Sequence, residues 1–126
     1  MRNKWGARKT LYDGIIFDSE AESNRYKALR LMQAAGQISG LERQPNYMLQ
    51  EKFRHNGKMI PAITYTADFV YYEIATGKEV VEDVKGASTE PYRIRRKLFI
   101  KRYPHLDHRE IDANEYRTRK PRRRKV

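Results

Sequence analysis

The chain contains no cysteine, and this absence excludes disulfide bonds and zinc sites built from thiolates. Apolar runs are short: none approaches the roughly 20 residues that a membrane-spanning helix needs. The N-terminal stretch MRNKWGARKT also lacks the apolar segment of a signal peptide. A length of 126 residues suffices for one hydrophobic core but not for two. We therefore expect a single soluble domain in the cytoplasm.

Acidic residues are outnumbered. The 27 Lys and Arg residues exceed the 16 Asp and Glu residues and give a formal net charge of +11, which indicates a polyanionic partner, most commonly nucleic acid. The last ten residues, RTRKPRRRKV, hold seven of the basic residues and no acid. We expect residues 117–126 to be a disordered tail that binds phosphates without reading sequence, although a solubility tail or a localisation signal would have the same composition. Residues 1–14 are expected to be a basic arm, and residues 15–116 the folded domain.

Turn and capping residues indicate the elements of the first part of the chain. Asp13-Gly14 is typical of a turn, and a short apolar strand follows at 15–17. Ser19 is a good helix N-cap with Glu22 three residues later, the pattern of a capping box. Apolar residues then recur at helical spacing, and we expect a helix over residues 21–35 that ends at Gly36.

The rest of the chain predicts a sheet and a second helix. An extended segment, ISGLERQPNYMLQEKF, precedes Asn56-Gly57, the strongest short hairpin signal. The return strand AITYTADFVYYE, the turn ATGK and the strand EVVEDVKG complete a three-stranded meander. YRIRRKLFIKRY then indicates a basic amphipathic helix, and HREIDANEY a final strand. We expect the inner side of that helix to carry Ile94, Leu98, Phe99 and Tyr103. The predicted class is α/β.

The strand VVEDVKG carries an acid and a lysine on one face, because residues two apart on a strand share a face. If the hairpin turns at about Thr76-Gly77, Asp68 lies opposite Lys85, and Val70 lies opposite Asp83. Asp68, Asp83 and Lys85 would then form one patch. The prediction requires a connection of even length, since a slip of one residue sends Asp68 to the opposite face.

Two carboxylates this close repel each other unless a cation lies between them. Oxygen ligands of this kind suit Mg²⁺, and a lysine beside them can position a water or neutralise charge on a phosphate. Glu22 adds a third carboxylate if the first helix packs over this hairpin. Two alternatives remain open: a cross-strand ion pair between Asp68 and Lys85, and a capping role alone for Glu22.

These residues resemble the PD-(D/E)XK nuclease superfamily, in which a helix glutamate precedes an aspartate and a D-x-K triplet. Several blocks in order, from KWGARKT through DGIIFDSEAESNRY and YTADFVYYE to VVEDVKG and YRIRRKLF, are similar to small phage and prophage proteins described as uncharacterised or as endonucleases related to Holliday-junction resolvases. The resemblance covers about residues 4–101. It implies a restriction-endonuclease-like α/β core: a helix, a three-stranded meander, a helix and a strand, with a mixed central sheet flanked by helices.

The resemblance also implies roles for individual residues. Glu22 resembles the helix acid that helps to hold the metal, and Asp68 resembles the main metal ligand. Asp83 stands at the (D/E) position and Lys85 at the lysine that positions the water. Ala67 replaces the proline of the superfamily pattern. Glu20 and Glu82 are alternatives to Glu22 and Asp83. The implied cofactor is Mg²⁺, with Mn²⁺ as a substitute, and the implied products carry 5′-phosphates.

The implied function is a metal-dependent DNA endonuclease that acts on branched DNA as a homodimer in a bacterial host cell. Contacts to DNA are expected from the arm, the second helix and the tail, namely Lys9, Arg93, Arg95, Arg96, Lys97, Arg122, Arg123 and Arg124. One alternative is a nuclease that acts on flaps, single strands or duplex ends. The other is a non-catalytic basic protein that binds nucleic acid, in which the acids are structural and the basic helix is an ordinary solvated face.

Three weaker candidates complete the sequence analysis. His105 and His108 have a spacing that metal ligands use, but a chain with three histidines and no cysteine offers little support for a metal site there. Gln44 could line the site or be an ordinary polar strand residue. The tyrosines Tyr65, Tyr71 and Tyr72 fit β-sheet positions better than base stacking.

Overall fold

The computed structural model describes residues 9–86 and 88–116, which form a mixed α/β structure. In chain order the elements are β1 (Thr10–Tyr12), β2 (Ile15–Phe17), α1 (Glu20–Ala34), β3 (Ile38–Arg43), β4 (Asn46–Gln50), β5 (Phe53–His55), β6 (Lys58–Ile60), β7 (Ile63–Thr66), β8 (Phe69–Glu73), β9 (Lys78–Lys85), α2 (Glu90–Arg102) and β10 (Asp107–Asp112), followed by a 3₁₀ turn (Ala113–Tyr116).

The central sheet has four strands in the order β10-β9-β8-β3. Strands β3, β8 and β9 are antiparallel neighbours, and β10 runs parallel to β9, with α2 as the connection that a parallel pair requires. The predicted α/β class and mixed sheet are therefore confirmed, and β3, β8 and β9 form an antiparallel meander. Between β3 and β8 the chain also forms two small antiparallel pairs, β4 with β7 and β5 with β6.

The turns in this insertion follow the local sequence, but their place in the sheet differs from the prediction. Asn56 and Gly57 both have positive φ angles, 48° and 75°, as a tight hairpin turn requires. They join β5 to β6 and not two strands of the central sheet. The predicted return strand is divided at Ala67–Asp68 into β7 and β8, which pair with different partners.

The register between β8 and β9 corrects the predicted pairing. Val70 pairs with Val81 and not with Asp83, and the last pair before the turn is Glu73 with Lys78. The whole ladder is displaced by two residues because the connection has four residues, 74–77. A displacement of two leaves the paired side chains on their predicted faces, and Asp83 and Lys85 still share a face. The predicted pair of Asp68 with Lys85 is wrong, because Asp68 precedes β8 and is not part of this ladder.

Helix α1 begins where the capping residues indicate. Ser19 is the N-cap, and its hydroxyl accepts a hydrogen bond of 3.1 Å from the Glu22 backbone N–H. Ala35 is the C-cap, and Gly36 follows with a φ angle of +76°, a conformation that favours glycine. The predicted helix is confirmed, with its start one residue earlier at Glu20.

Each face of the central sheet is covered by one helix. Leu29 of α1 packs with Phe69 and Val80, while Phe99 of α2 packs on the other face against a cluster that includes Val81 and Tyr65. The predicted inner side of α2 is partly wrong. Phe99 is buried and Tyr103 is half-buried, but Ile94 and Leu98 are 52% and 43% exposed. The inner stripe is instead Tyr92, Arg96, Phe99 and Tyr103, spaced by three or four residues.

Neither described helix is long and apolar enough to span a membrane. The predicted arm of residues 1–14 includes β1, which pairs with β2 through a turn at Asp13 and Gly14, both with positive φ angles. The described part of that arm is thus a hairpin from residue 10 onward. The predicted tail, residues 117–126, lies outside the described residues.

Candidate functional site

The candidate site lies where β8 begins and β9 ends. Asp68 directly precedes β8, and its backbone N–H donates a 3.0 Å hydrogen bond to the Glu82 carbonyl. One oxygen of its carboxylate, Oδ2, accepts a 2.7 Å hydrogen bond from the Val84 backbone N–H. Gln44, at the end of β3, donates its N–H to the Asp68 carbonyl at 2.9 Å. The backbone therefore fixes the Asp68 carboxylate beside the last residues of β9.

Gln44 adopts a left-handed conformation, with a φ angle of 51°, which is uncommon for a residue with a side chain. Strained backbone of this kind is found preferentially at functional sites. The backbone of Gln44 lies beside Asp68, and its side chain is exposed. Gln44 follows β3 and is not a strand residue, and its role in the site stays a prediction.

Helix α1 brings Glu22 to the same place. The pKa of Glu22 is raised to about 8, first by burial and then by the negative charges of Asp68 and Asp18, while Lys85 lowers it. Burial also raises the pKa of Asp68, opposed by the Val84 hydrogen bond and by the positive charge of Lys85. Glu22, Asp68 and Lys85 are thus close enough to influence one another. The pKa of Glu22, the preferred one of the two candidate helix acids, thus responds to Asp68.

Asp83 lies on the face of the sheet that α2 covers. Its Oδ2 atom is 3.3 Å from Nε2 of His108, a buried residue of β10. The same Nε2 atom is 2.8 Å from the Tyr65 hydroxyl, and the Arg96 Nε–H donates to the His108 Nδ1 atom at 3.3 Å. Because Nδ1 accepts this bond, the ring proton of neutral His108 is on Nε2, facing Asp83 and Tyr65. Asp83 is therefore held in a buried polar network.

Tyr92 of α2 joins Asp83 to Lys85. The Lys85 Nζ atom lies 4.3 Å from the centroid of the Tyr92 ring, a cation–π distance. The pKa of Tyr92 is raised, first by burial and then by the negative charges of Asp83 and Glu110. The Tyr92 ring thus lies between the Lys85 ammonium and the buried residues on the face of the sheet that α2 covers.

Glu82, the neighbour of Asp83, points to the other face of the sheet. It is fully buried and accepts hydrogen bonds from Arg25 Nε at 2.8 Å and from Arg25 Nη2 at 2.5 Å. The Tyr71 hydroxyl donates to the same carboxylate. The Arg25 Nη1 atom donates to the Tyr116 hydroxyl at 2.8 Å. Glu82 is thus a buried structural acid, and Asp83 is the acid on the face of Lys85.

The carboxylates are not arranged as one three-ligand cluster. Over residues 9–86 and 88–116, no group of three or more His, Cys, Asp or Glu side chains is placed to hold a metal ion in common. Glu22 and Asp68 form one part of the predicted set, and Asp83 is turned toward His108. Of the two candidate histidines, His108 is buried and His105 is exposed near Tyr103.

The predicted nucleic-acid contacts fall into three groups. Lys9, Arg93, Arg95 and Lys97 are exposed. Arg96 is turned toward the protein: its Nε atom is 3.3 Å from His108 and 3.2 Å from a Glu110 oxygen. The remaining three, Arg122, Arg123 and Arg124, lie outside the described residues.

Two features of this region are not predicted from the sequence. One is the contact of His108 with Asp83, since the pattern offered only the spacing to His105. The other is the basic character of the β5–β6 hairpin, where Lys52, Arg54 and Lys58 are exposed beside Phe53. The alternation of basic and apolar residues around Asn56-Gly57 is a signal that could have indicated an exposed basic hairpin.

A comparison with protein families finds one match, over residues 2–118, to a family described as "Protein of unknown function (DUF1064)". No curated protein and no solved structure matches the chain. The family description names no activity, so the resemblance to PD-(D/E)XK nucleases stays a prediction. Because the match spans nearly the whole sequence, the chain belongs to the DUF1064 family of proteins of unknown function.

Proposed function

We propose that this protein is a metal-dependent nuclease of the PD-(D/E)XK type that hydrolyses phosphodiester bonds in DNA. The observation that carries the proposal is the meeting of Glu22, Asp68 and Lys85 at the end of β9. These side chains come from three separate elements of the sequence. The raised pKa of Glu22, about 8, reflects burial and the charges of Asp68 and Asp18. Such perturbed acids beside a lysine are typical of catalytic sites.

The donor set fits a divalent cation held by two carboxylates. Mg²⁺ is commonly bound by one or two carboxylates together with water and substrate phosphate oxygens. Glu22 and Asp68 supply such a pair, and a cation between them would offset their mutual repulsion. The Val84 N–H donates to Asp68 Oδ2 and would hold the Asp68 carboxylate in place for the metal. When bound, Mg²⁺ would polarise the scissile phosphate and supply an activated water.

Asp83 supplements this pair in the proposal. Its Oδ2 atom faces His108, which leaves Oδ1 directed away from that contact. Lys85 lies on the same strand face as Asp83, and we assign its ammonium to hold the attacking water or to neutralise charge that develops on the phosphate. The resemblance is the basis for the restriction-endonuclease-like fold and for the role of each residue. The mixed sheet with one helix on each face supports this resemblance.

DNA as the substrate is supported by the exposed basic residues. Helix α2 carries exposed Arg93, Arg95 and Lys97 close to Tyr92, and the β5–β6 hairpin adds further exposed basic residues. Contacts of this kind bind the phosphate backbone and depend on salt. Branched DNA cut by a homodimer is the form of substrate and assembly that the resemblance favours.

The test is cleavage of a labelled panel that contains a four-way junction, a flap, a duplex and a single strand. Each is incubated with Mg²⁺, Mn²⁺ or EDTA and with wild type, Lys85→Ala or Asp68→Asn. We expect wild type to cut at least one substrate only with metal. Both variants should still bind DNA and lose at least about a hundredfold in rate, the cost of removing a charge-stabilising group.

The matched control is Lys78→Ala, which removes a lysine from the exposed opposite end of β9. It should cut like wild type. DNA binding without metal-dependent cutting of any substrate would refute the nuclease and leave a basic nucleic-acid-binding protein. Cutting of flaps, single strands or duplex ends in preference to the junction would keep the nuclease and change its substrate.

A further inference from the structure

A groove of about 300 Å³ lies between strand β7 and helix α2. It is lined by Thr64, Tyr65, Thr66, Tyr92 and Arg95. Its volume is at the lower limit of ligand pockets, which span about 300–1,000 Å³. A cavity of this size suits one unit of an extended chain and excludes a duplex.

Two lining residues connect the groove directly to the candidate site. The Tyr92 ring is in contact with the Lys85 ammonium, 4.3 Å from its centroid. The Tyr65 hydroxyl is 2.8 Å from His108, which in turn contacts Asp83. The groove and the candidate site therefore share Tyr92, and Tyr65 connects the groove to Asp83 through His108.

The chemistry of the groove fits a phosphate backbone and not a base. Thr64, Thr66 and Arg95 are exposed, whereas the Tyr65 and Tyr92 rings are buried, so the rings offer no open face for base stacking. Within the described part of the chain Arg95 forms no ion pair. The Thr66 hydroxyl donates to the Asn46 side-chain oxygen at 2.9 Å, so the donors that the groove offers to phosphate oxygens are the Arg95 guanidinium and the Thr64 hydroxyl.

We propose that this groove binds the sugar–phosphate backbone of a single DNA strand beside the phosphate that is cut, with Arg95 in contact with a flanking phosphate. The inference rests on the proposed nuclease function, and among the branched substrates it favours a flap over a fully paired four-way junction, because the strand next to the cut must be unpaired. Substrates with a single-stranded segment at the cut are therefore favoured over an intact duplex.

The absence of cysteine allows a direct test, because an introduced cysteine is the only thiol in the chain. Thr64→Cys is labelled with a thiol-specific photo-crosslinking reagent and irradiated with a labelled single-stranded oligonucleotide. Leu31→Cys is the matched control, since Leu31 is exposed on α1, which covers the opposite face of the sheet. We expect Thr64→Cys to cross-link and Leu31→Cys to give background.

A second variant tests the phosphate contact. Arg95→Ala in the Thr64→Cys background should abolish the cross-link and weaken single-strand binding by at least about tenfold, as for one charge-assisted hydrogen bond. Lys101→Ala is its control, because Lys101 is an exposed basic residue of the same helix that does not line the groove. An oligonucleotide with a neutral methylphosphonate backbone should fail to compete.

The outcomes separate the two proposals. Equal cross-linking from both positions, or cross-linking that Arg95→Ala leaves unchanged, overturns the groove even if the protein cuts DNA. Binding and cross-linking at Thr64→Cys without cutting of any substrate refutes the nuclease and supports the groove. If wild type binds no nucleic acid, both proposals are wrong.

Discussion

The buried pair of Glu82 and Arg25 gives the sharpest prediction about the stability of this fold. The Glu82 side chain is 0% exposed and the Arg25 side chain is 9% exposed. Glu82→Gln removes the negative charge and leaves the guanidinium without its counter-ion in the core. Since a buried charge without a partner is costly, we expect the variant to be strongly destabilised.

The magnitude follows from the contacts that are lost. Removing one partner of a buried ion pair costs about 3–5 kcal/mol, and the glutamine oxygen can still accept one bond from Arg25 or Tyr71. We therefore expect about 3 kcal/mol, a large part of the roughly 5–15 kcal/mol that holds a typical domain folded. The corresponding fall in Tm is roughly 10 °C. Arg25→Gln combined with Glu82→Gln should cost less than the sum of the two single changes.

Urea denaturation, monitored by circular dichroism, measures the free energy of unfolding of each variant. Asp13→Asn is the control for an exposed pair, because Asp13 and its partner Arg30 are 53% and 51% exposed and such pairs contribute about 1 kcal/mol or less. Asp83→Asn should also cost little, because an asparagine oxygen can still accept the His108 bond. If Glu82→Gln is as stable as Asp13→Asn, the structural role assigned to Glu82 is wrong.

Three further predictions concern the site and its partner. In EDTA, wild type loses stability as pH rises from 4.5 toward 8, because the folded state binds the Glu22 proton more tightly than the unfolded state does. Glu22→Gln should therefore be more stable than wild type by about 2 kcal/mol at pH 8, with a smaller gain at pH 5. The control Glu90→Gln, in the first turn of α2, should show no such gain. His108→Ala should lower the cleavage rate by about 10- to 100-fold, as for other partners of metal ligands, and should leave the DNA affinity unchanged. In His108→Gln the cleavage rate should recover in part. A His108→Ala rate equal to that of wild type would refute the importance of the contact with Asp83. The logarithm of the DNA association constant should fall linearly with the logarithm of the salt concentration, and the magnitude of this slope should be smaller by about one in Arg93→Ala. Fluorescence anisotropy measures the slope. An unchanged slope would show that Arg93 is not in the interface.

Local sequence determined the elements whose signals are themselves local. Ser19 and Gly36 mark the ends of α1 because capping bonds span three or four residues. Asp13-Gly14 and Asn56-Gly57 form their turns because those residues tolerate positive φ angles at little cost. Alternation along VVEDVKG was likewise sufficient to place Asp83 and Lys85 on one face, since that period belongs to the strand itself.

Features that depend on contacts between distant residues could not be predicted from the local sequence. The inner stripe of α2 was predicted from apolar residues alone, but Arg96 occupies it while Ile94 and Leu98 are exposed. An arginine can lie inside when His108 and Glu110 satisfy it, and those partners come from β10. The observed β8–β9 pairing differs from the predicted one by two residues for a similar reason. The length of the turn depends on where both strands end, and this is not a local property of the sequence.

By itself, the sequence determined the two helices, the positions of the turns at Asp13-Gly14 and Asn56-Gly57, and the set of acids and lysine from which the candidate site is built. Only the tertiary structure decided which acid belongs to which face. Glu82 turns to Arg25, Asp83 turns to His108, and Glu22 reaches Asp68 from a distant helix. The physical reason is that a strand specifies only the alternation of its side chains, whereas the partners that stabilise or repel a buried charge come from elements far away in the chain.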